Sequence, residues 1–183
     1  MIVSNGYIRA EPMKALVPQL AAVKIDLKSF RNDFYVNYCR GTLQPVLDTI
    51  QLVHSMGKWL ELVYLVVPTL NDKPNEVADM CRWIKKNLGP EVPLHFSRFA
   101  PNYQLKNLPA TPYETLKRLR DVARKEGLQY VYLGNVPGED NATTYCPKCQ
   151  VAVIRRNGFE VLSNTLSGGK CPKCGHKVPG LWS

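Results

Sequence analysis

Short apolar segments alternate with longer amphipathic segments along residues 1–136. The apolar segments predict buried strands over 21–27, 60–67, 94–99 and 130–136. The amphipathic segments predict helices over 42–57, 74–89 and 111–127. This alternation predicts βαβ units and an α/β fold with a parallel sheet. Because the strand segments are almost continuously apolar, we expect both faces of the sheet to be covered.

The predicted helices carry boundary signals of different strength. Thr42 is a candidate N-cap of the first helix. Thr111 and Glu114 have the spacing of a capping box around Pro112, and Gly127 is placed to end the third helix.

Polar residues follow several of the predicted strands directly. In parallel α/β folds the carboxyl ends of the strands meet at one edge, where ligands usually bind. Candidate site residues at these ends are Ser4, Asn5, Asp26, Lys28, Asn71, Asp72, Asn102 and Tyr103.

Four of the six cysteines form two identical C-P-K-C blocks at 146–149 and 171–174. Between the blocks, Asn157-Gly158 is a hairpin signal flanked by two short strand-like segments. Two such knuckles joined by a hairpin indicate a zinc ribbon, because Zn²⁺ takes four thiolates tetrahedrally. We therefore predict structural Zn²⁺ on Cys146, Cys149, Cys171 and Cys174, with iron in the same four sulfurs as the main alternative.

Other cysteines and interior polar residues have simpler interpretations. Cys39 and Cys81 are single and are expected to be small core residues. Glu61 and Tyr64 lie in an apolar strand and are expected to be hydrogen-bonded interior groups.

Changes of composition along the chain predict its domain organisation. We expect a barrel-type domain over 1–136, a linker of turn composition over 137–143, and a four-cysteine module over 144–183. No segment has 18 successive uncharged apolar residues, and no leader of basic and apolar residues is visible at the start. We therefore expect a cytoplasmic protein without a membrane partner.

The net charge of +9 is spread along the chain. Spread charge favours a solvated basic surface over a nucleic-acid interface. An alternative is a zinc-ribbon module that binds nucleic acid or protein without catalysis. Its candidate cations are Lys148, Arg155, Arg156, Lys170, Lys173 and Lys177.

The segments "SNGY", "KIDLK", "YLVVPTLND" and "FSRFAPNYQL", in this order, resemble the second half of a radical SAM enzyme similar to pyruvate formate-lyase-activating enzyme. The final "YCPKC", "KCPKCG" and "PGLW" are similar to the radical SAM subgroup of the AmmeMemoRadiSam system. The resemblance implies a partial (β/α)₆ barrel that binds S-adenosylmethionine and a [4Fe-4S] cluster.

The family's cluster loop, C-x3-C-x2-C, and its glycine-rich "GGE"-type loop have no counterpart in this sequence. The resemblance begins at the third barrel strand. We therefore expect the chain to be the C-terminal portion of a longer enzyme. By itself the chain is expected to be inactive, with the cluster-binding half supplied in trans or a protein substrate as its partner.

The resemblance also implies roles for individual residues. Ser4 and Asn5 match the family's loop beside the cofactor. Lys28 matches the lysine that meets the cofactor carboxylate, and Asp26 matches the aspartate that shapes the pocket. From the residues alone, Lys28 could equally be a solvated surface lysine and Asp26 a capping carboxylate. Tyr103 departs from the family's Pro-Tyr-His pattern, so no role is carried over to it.

The activity implied by the family is hydrogen abstraction. The cluster reduces the bound sulfonium, and the resulting 5′-deoxyadenosyl radical removes a hydrogen atom. In the activating enzymes this hydrogen comes from a glycine of a partner protein.

Overall fold

In the computed structural model, which describes residues 1–182, the strands form two separate sheets. The larger sheet has five parallel strands in sequential order. They are β1 (Ile2–Ser4), β2 (Ala22–Asp26), β3 (Trp59–Val66), β4 (Leu94–Arg98) and β5 (Val131–Gly134). The helices that connect them are α1 (Ala10–Leu16), α2 (Asn32–Phe34) with a π-helical turn (Tyr35–Cys39), α3 (Gln44–Ser55), α4 (Pro74–Leu88) and α5 (Tyr113–Lys125).

All the long connecting helices lie on one face of this sheet. Parallel crossovers are nearly always right-handed, so strands added in order on one side place each helix on the same face. Successive pairs among α1, α3, α4 and α5 contact one another in a continuous row. The core lies between this row and the sheet. Fully buried examples are Ile25, Leu62, Phe96, Ile50, Ile84 and Leu119.

Within residues 1–182, none of the long helices covers the opposite face of the sheet, here called the inner face; the ribbon and its C-terminal tail lie over part of it instead. Along β3, Leu60, Leu62 and Tyr64 are buried on the helix side, whereas Glu61 and Val63 on the inner face are only half-buried. Because β3 also has apolar residues on the inner face, its sequence resembles that of a strand buried on both faces.

The three predicted long helices are confirmed, but two predicted caps are wrong. No side chain caps α3, whose N-cap position is Leu43 rather than Thr42. Thr111 does not cap α5. Its hydroxyl is buried, donates to the carbonyl of Val66 at 2.6 Å and accepts from the backbone N–H of Phe99 at 2.9 Å. Thr111 therefore ties the ends of β3 and β4 together.

The second sheet is a small antiparallel ribbon of β6 (Thr144–Tyr145), β7 (Ala152–Asn157) and β8 (Glu160–Asn164). The predicted hairpin is confirmed, since Asn157 pairs with Glu160 across a tight turn in which Gly158 has φ +59°. The predicted linker segment contains a short helix, α6 (Glu139–Ala142), whose buried Asn141 accepts a hydrogen bond from the Tyr113 hydroxyl at 3.0 Å.

The ribbon packs against the last strand of the parallel sheet. Its small apolar cluster includes Val153, Ile154 and Val178, and it is completed by Tyr130 next to β5. None of the helices within residues 1–182 has the length and apolarity needed to cross a bilayer.

Candidate functional site

The turn after β1 brings Ser4 and Asn5 to the carboxyl edge of the sheet. Ser4 Oγ accepts from the backbone N–H of Gly6 at 3.1 Å, and Asn5 Oδ1 accepts from that of Tyr7 at 3.0 Å. Gly6 has φ +71°, and a Cβ there would lie 2.9 Å from Ile25 Cγ2. The turn therefore needs glycine to pass close over β2.

Asp26 and Lys28 lie beside this turn, at the end of the neighbouring strand β2. Lys28 Nζ donates to Asp26 Oδ2 at 2.7 Å, and the two side chains are 34% and 28% exposed. The backbone N–H of Lys28 donates to the hydroxyl of Tyr35 at 3.0 Å. Burial raises the pKa of Tyr35 well above its usual range, so this phenol stays neutral. The four predicted residues thus lie at the ends of two adjacent strands.

The remaining strand-end candidates lie in other environments. Asn71 is fully buried, and Asp72 accepts from the backbone N–H of Thr69 at 3.1 Å within its own turn. Asn102 accepts from the N–H of Tyr103 at 2.8 Å, and the Tyr103 side chain is exposed. Asp72 and Asn102 therefore stabilise their own turns, whereas Asn71 contacts the loop that carries Lys28.

The Asn71 side chain anchors the loop that carries Lys28 through hydrogen bonds to the backbone. Its Nδ2 donates to the carbonyl oxygens of Lys28 at 2.7 Å and Leu65 at 2.9 Å. Its Oδ1 accepts from the backbone N–H of Val67 at 2.7 Å. One side chain therefore links the loop after β2 to the loop after β3.

Glu76, in the first turn of α4, is a buried carboxylate that the sequence analysis missed. Its Oε1 accepts from the Ser29 hydroxyl and from the backbone N–H of Phe30 at 2.9 Å, and lies 3.0 Å from the Tyr64 hydroxyl. Its Oε2 lies 3.1 Å from Arg31 Nε. Burial and the nearby carboxylate raise the pKa of Tyr64 far above its usual range. The sequence signal for Glu76 was an acidic residue in the first turn of a helix. Many helices have one without burying it, so the signal did not single out Glu76.

The inner face carries a second group of charged residues. Lys24 and Glu61 are direct partners in the register of β2 and β3, with Nζ and Oε2 at 3.3 Å. His95 Nε2 lies 3.0 Å from the same oxygen, and Trp59 Nε1 donates to Glu61 Oε1 at 3.1 Å. Burial alone would raise the pKa of Glu61, but His95, Trp59 and Lys24 together lower it to about 2.

We expect this lowered pKa to make the fold sensitive to acid. The Glu61 carboxylate stabilises the folded state above its unfolded pKa of about 4.3. This contribution is lost as the pH falls through the folded value of about 2. Between pH 5 and pH 2, the unfolding free energy of the wild type should fall by about 2–3 kcal/mol more than that of Glu61→Gln. Denaturant titrations across this range measure the difference.

Glu114→Gln is the matched control, because Glu114 is exposed near the start of α5. Its curve should run parallel to that of the wild type. Parallel curves for the wild type and Glu61→Gln would contradict the assigned role of Glu61.

The four ribbon cysteines converge as predicted. Cys146 and Cys174 have their sulfurs 3.5 Å apart, Cys149 and Cys171 have theirs 3.6 Å apart, and all four sulfurs lie within 4.8 Å of one another. A tetrahedral ion with sulfur ligands at about 2.3 Å needs sulfur separations of about 3.8 Å, so the geometry fits a four-thiolate metal. Although burial opposes it, backbone N–H groups of Cys174 and Lys173 lower the pKa of Cys171 to about 7.

The two single cysteines lie apart from this centre. Cys81 is fully buried in the main core, as expected. Cys39 is exposed at the end of the π-helical turn, so its assignment to the core is wrong.

Comparison with known proteins places the fold but not the activity. No protein-family model matches the sequence. An uncharacterized protein of Methanocaldococcus jannaschii is 42% identical over 180 residues, which are 97% of this chain and 53% of that protein. The chain thus spans about half the length of the curated relative that it matches.

Two solved structures share the fold. One is a domain of pyruvate-formate lyase-activating enzyme from Bacteroides vulgatus, with a TM-score of 0.62 over 72% of this chain and 79% of that one. The other is a radical SAM methyltransferase from Sphaerobacter thermophilus, with a TM-score of 0.57 over 73% of this chain and 40% of that one. Each is 13% identical to this chain, so the likeness shows a shared α/β fold and nothing further.

Proposed function

We propose that this chain forms the C-terminal strands of a radical SAM enzyme of the pyruvate formate-lyase-activating type, in a partial (β/α)₆ barrel. The observation that supports the proposal is the position of Ser4, Asn5, Asp26 and Lys28 at the carboxyl ends of two adjacent parallel strands. The sheet that holds them resembles those of a pyruvate-formate lyase-activating enzyme domain and a radical SAM methyltransferase. S-adenosylmethionine, when bound, would supply the 5′-deoxyadenosyl group for hydrogen abstraction.

Lys28 is the residue assigned to the carboxylate of this cofactor. Its ammonium is partly exposed, and it has three donors, of which Asp26 takes one. A second carboxylate can therefore be bound without breaking the existing pair. The buried Asn71 fixes the backbone of Lys28, so the loop is ordered before the cofactor binds.

The cluster does not fit the residues of this chain. Four of the six cysteines belong to the ribbon, Cys81 is in the core, and Cys39 is alone on the surface. We therefore propose that a cluster-binding segment outside these 183 residues completes the enzyme, either as another part of a longer chain or as a partner. The ribbon metal is proposed to be structural Zn²⁺, because all four ligand positions are filled by cysteine.

The proposal is tested by completing the pocket. We expect a polypeptide carrying the cysteine loop and first two strands of a homologous enzyme to bind this chain on co-expression. Anaerobic calorimetry should then detect S-adenosylmethionine binding, and Lys28→Ala should weaken it about tenfold or more, because a charge-assisted hydrogen bond is worth roughly 1.5–3 kcal/mol.

Lys106→Ala, a change in an exposed loop lysine, is the control and should leave the affinity unchanged. The chain without the added segment should produce no 5′-deoxyadenosine. Production by the chain alone, or a completed pocket that binds no cofactor, would refute the proposal.

A further inference from the structure

A cavity of about 660 Å³ lies between the inner face of the sheet and the ribbon with its C-terminal tail. Its sheet wall includes Trp59, Glu61, His95 and Tyr132, and its opposite wall includes the tail up to Trp182. The volume is in the range of pockets that hold small organic molecules. None of the strand-end residues proposed to bind S-adenosylmethionine lines the cavity, although Asp26 is the register partner of Val63 on the cavity wall.

One wall presents a histidine in a fixed orientation. Glu61 Oε2 lies 3.0 Å from His95 Nε2, and the His95 ring stacks on Tyr132 with centroids 5.1 Å apart. Because the carboxylate engages Nε2, the Nδ1 atom is the nitrogen left for a ligand. A histidine held by a carboxylate through one ring nitrogen is pre-organised for hydrogen bonding or proton exchange through the other.

The permanent charges around the cavity do not balance. Lys24 is paired with Glu61, which is the only aspartate or glutamate among the lining residues within 1–182. Arg156 is therefore the surplus cation. Its NH1 donates to Thr144 Oγ1 at 2.9 Å and to the carbonyl of Ala142 at 3.2 Å, which fixes the guanidinium without neutralising it. An arginine fixed in this way favours a carboxylate or phosphate ligand.

The tail forms an aromatic wall that is held in place by close packing. Trp182 Nε1 donates to the carbonyl of Val178 at 2.8 Å. The indole lies so close to two glycines that a Cβ on Gly169 or Gly180 would be 2.2 Å or 2.5 Å from it. With Trp59 and Tyr132 on the sheet side, the cavity offers flat apolar surfaces to a ring.

We propose that this cavity binds a small aromatic organic anion. The carboxylate or phosphate pairs with Arg156, the ring lies among Trp59, Tyr132 and Trp182, and His95 Nδ1 engages a polar group of the ligand. This assignment does not use the residues proposed to bind S-adenosylmethionine, so it can be tested without the cofactor or an added cluster-binding segment.

The test uses benzoate and phenyl phosphate as probes, with neutral benzamide as the uncharged comparison. The zinc-loaded chain has three histidines and three tryptophans, so their ring signals can be followed singly by NMR. We expect saturable shifts of the His95 and Trp59 signals with both anions. Benzamide should bind about tenfold more weakly, since it lacks the charge that pairs with arginine.

Matched variants locate the binding. Arg156→Gln should weaken benzoate about tenfold, whereas Arg155→Gln, at the adjacent exposed arginine paired with Glu139, should not. His95→Gln should remove the His95 response and weaken binding, whereas His54→Gln on α3 should do neither. If Arg156→Gln alters the ribbon spectrum, Trp182→Ala is the second test. It removes a cavity wall without touching the cysteines, and it should weaken benzoate binding.

Three outcomes overturn the proposal. The first is equal affinity for benzoate and benzamide. The second is an equal loss of benzoate affinity in Arg155→Gln and Arg156→Gln, and the third is a set of NMR shifts that do not saturate.

Discussion

Replacing Cys149 by serine is expected to release the ribbon metal and unfold residues 144–182 while the parallel sheet and its helices remain. The ribbon's apolar cluster is small and includes two of the ligands themselves, Cys146 and Cys171. Structural zinc contributes an apparent 10–16 kcal/mol or so in small domains, which is far more than this cluster supplies without it. Metal analysis should give about one Zn²⁺ per wild-type chain and none for Cys149→Ser.

Cys39→Ser is the matched control, because Cys39 is exposed and distant in sequence from the knuckles. It should keep the metal and the full spectrum of the ribbon. Circular dichroism should show that the helical signal of Cys149→Ser is retained. Freshly purified wild-type protein that contains neither zinc nor iron would show that the four sulfurs are not a metal centre.

Glu76→Ala is expected to destabilise the main domain by about 3–5 kcal/mol. The substitution leaves the Ser29 hydroxyl, the Phe30 N–H and the Arg31 guanidinium without their common acceptor. Unpaired buried polar groups retain the full cost of losing water. Urea titration should therefore show a large fall in the midpoint.

Glu76→Gln should lose less, because an amide oxygen can still accept from Ser29 and Phe30 and Arg31 is partly exposed to water. Glu91→Ala, at an exposed loop position before β4, should stay within about 0.5 kcal/mol of the wild type. A loss below about 1 kcal/mol in Glu76→Ala would mean that the buried network around Glu76 does not hold the Lys28 loop.

Much of the fold could be predicted because its signals are local. The periodicity of 74–89 reports which side of one helix is buried, and α4 (Pro74–Leu88) follows it closely. By contrast, α1 (Ala10–Leu16) and α2 (Asn32–Phe34) were missed, since each is too short to show a repeating apolar face. Thr111 was misassigned because capping spacing is local, whereas its bonds to Val66 and Phe99 depend on how strands meet.

The candidate sites also differ in whether their sequence signals are local. Cys146 and Cys149 lie within one knuckle, so their spacing alone predicts a shared ion, and the second knuckle repeats that spacing. The pairing of Glu61 with Lys24 and His95 joins three strands, and no local pattern in β3 distinguishes Glu61 from an ordinary strand residue.

The sequence by itself determined the alternation of strands and helices, the four-sulfur centre and the polar residues at the strand ends. Each of these depends on residues close together in the chain. The tertiary structure decided that one face of the sheet is uncovered by helices, because strand order fixes where every crossover helix lies. It also decided that Glu76 and Asn71 support Lys28 from behind, and that the ribbon's tail closes a cavity over Glu61 and His95. These contacts join residues far apart in the chain, and only the packing of the folded elements brings them together.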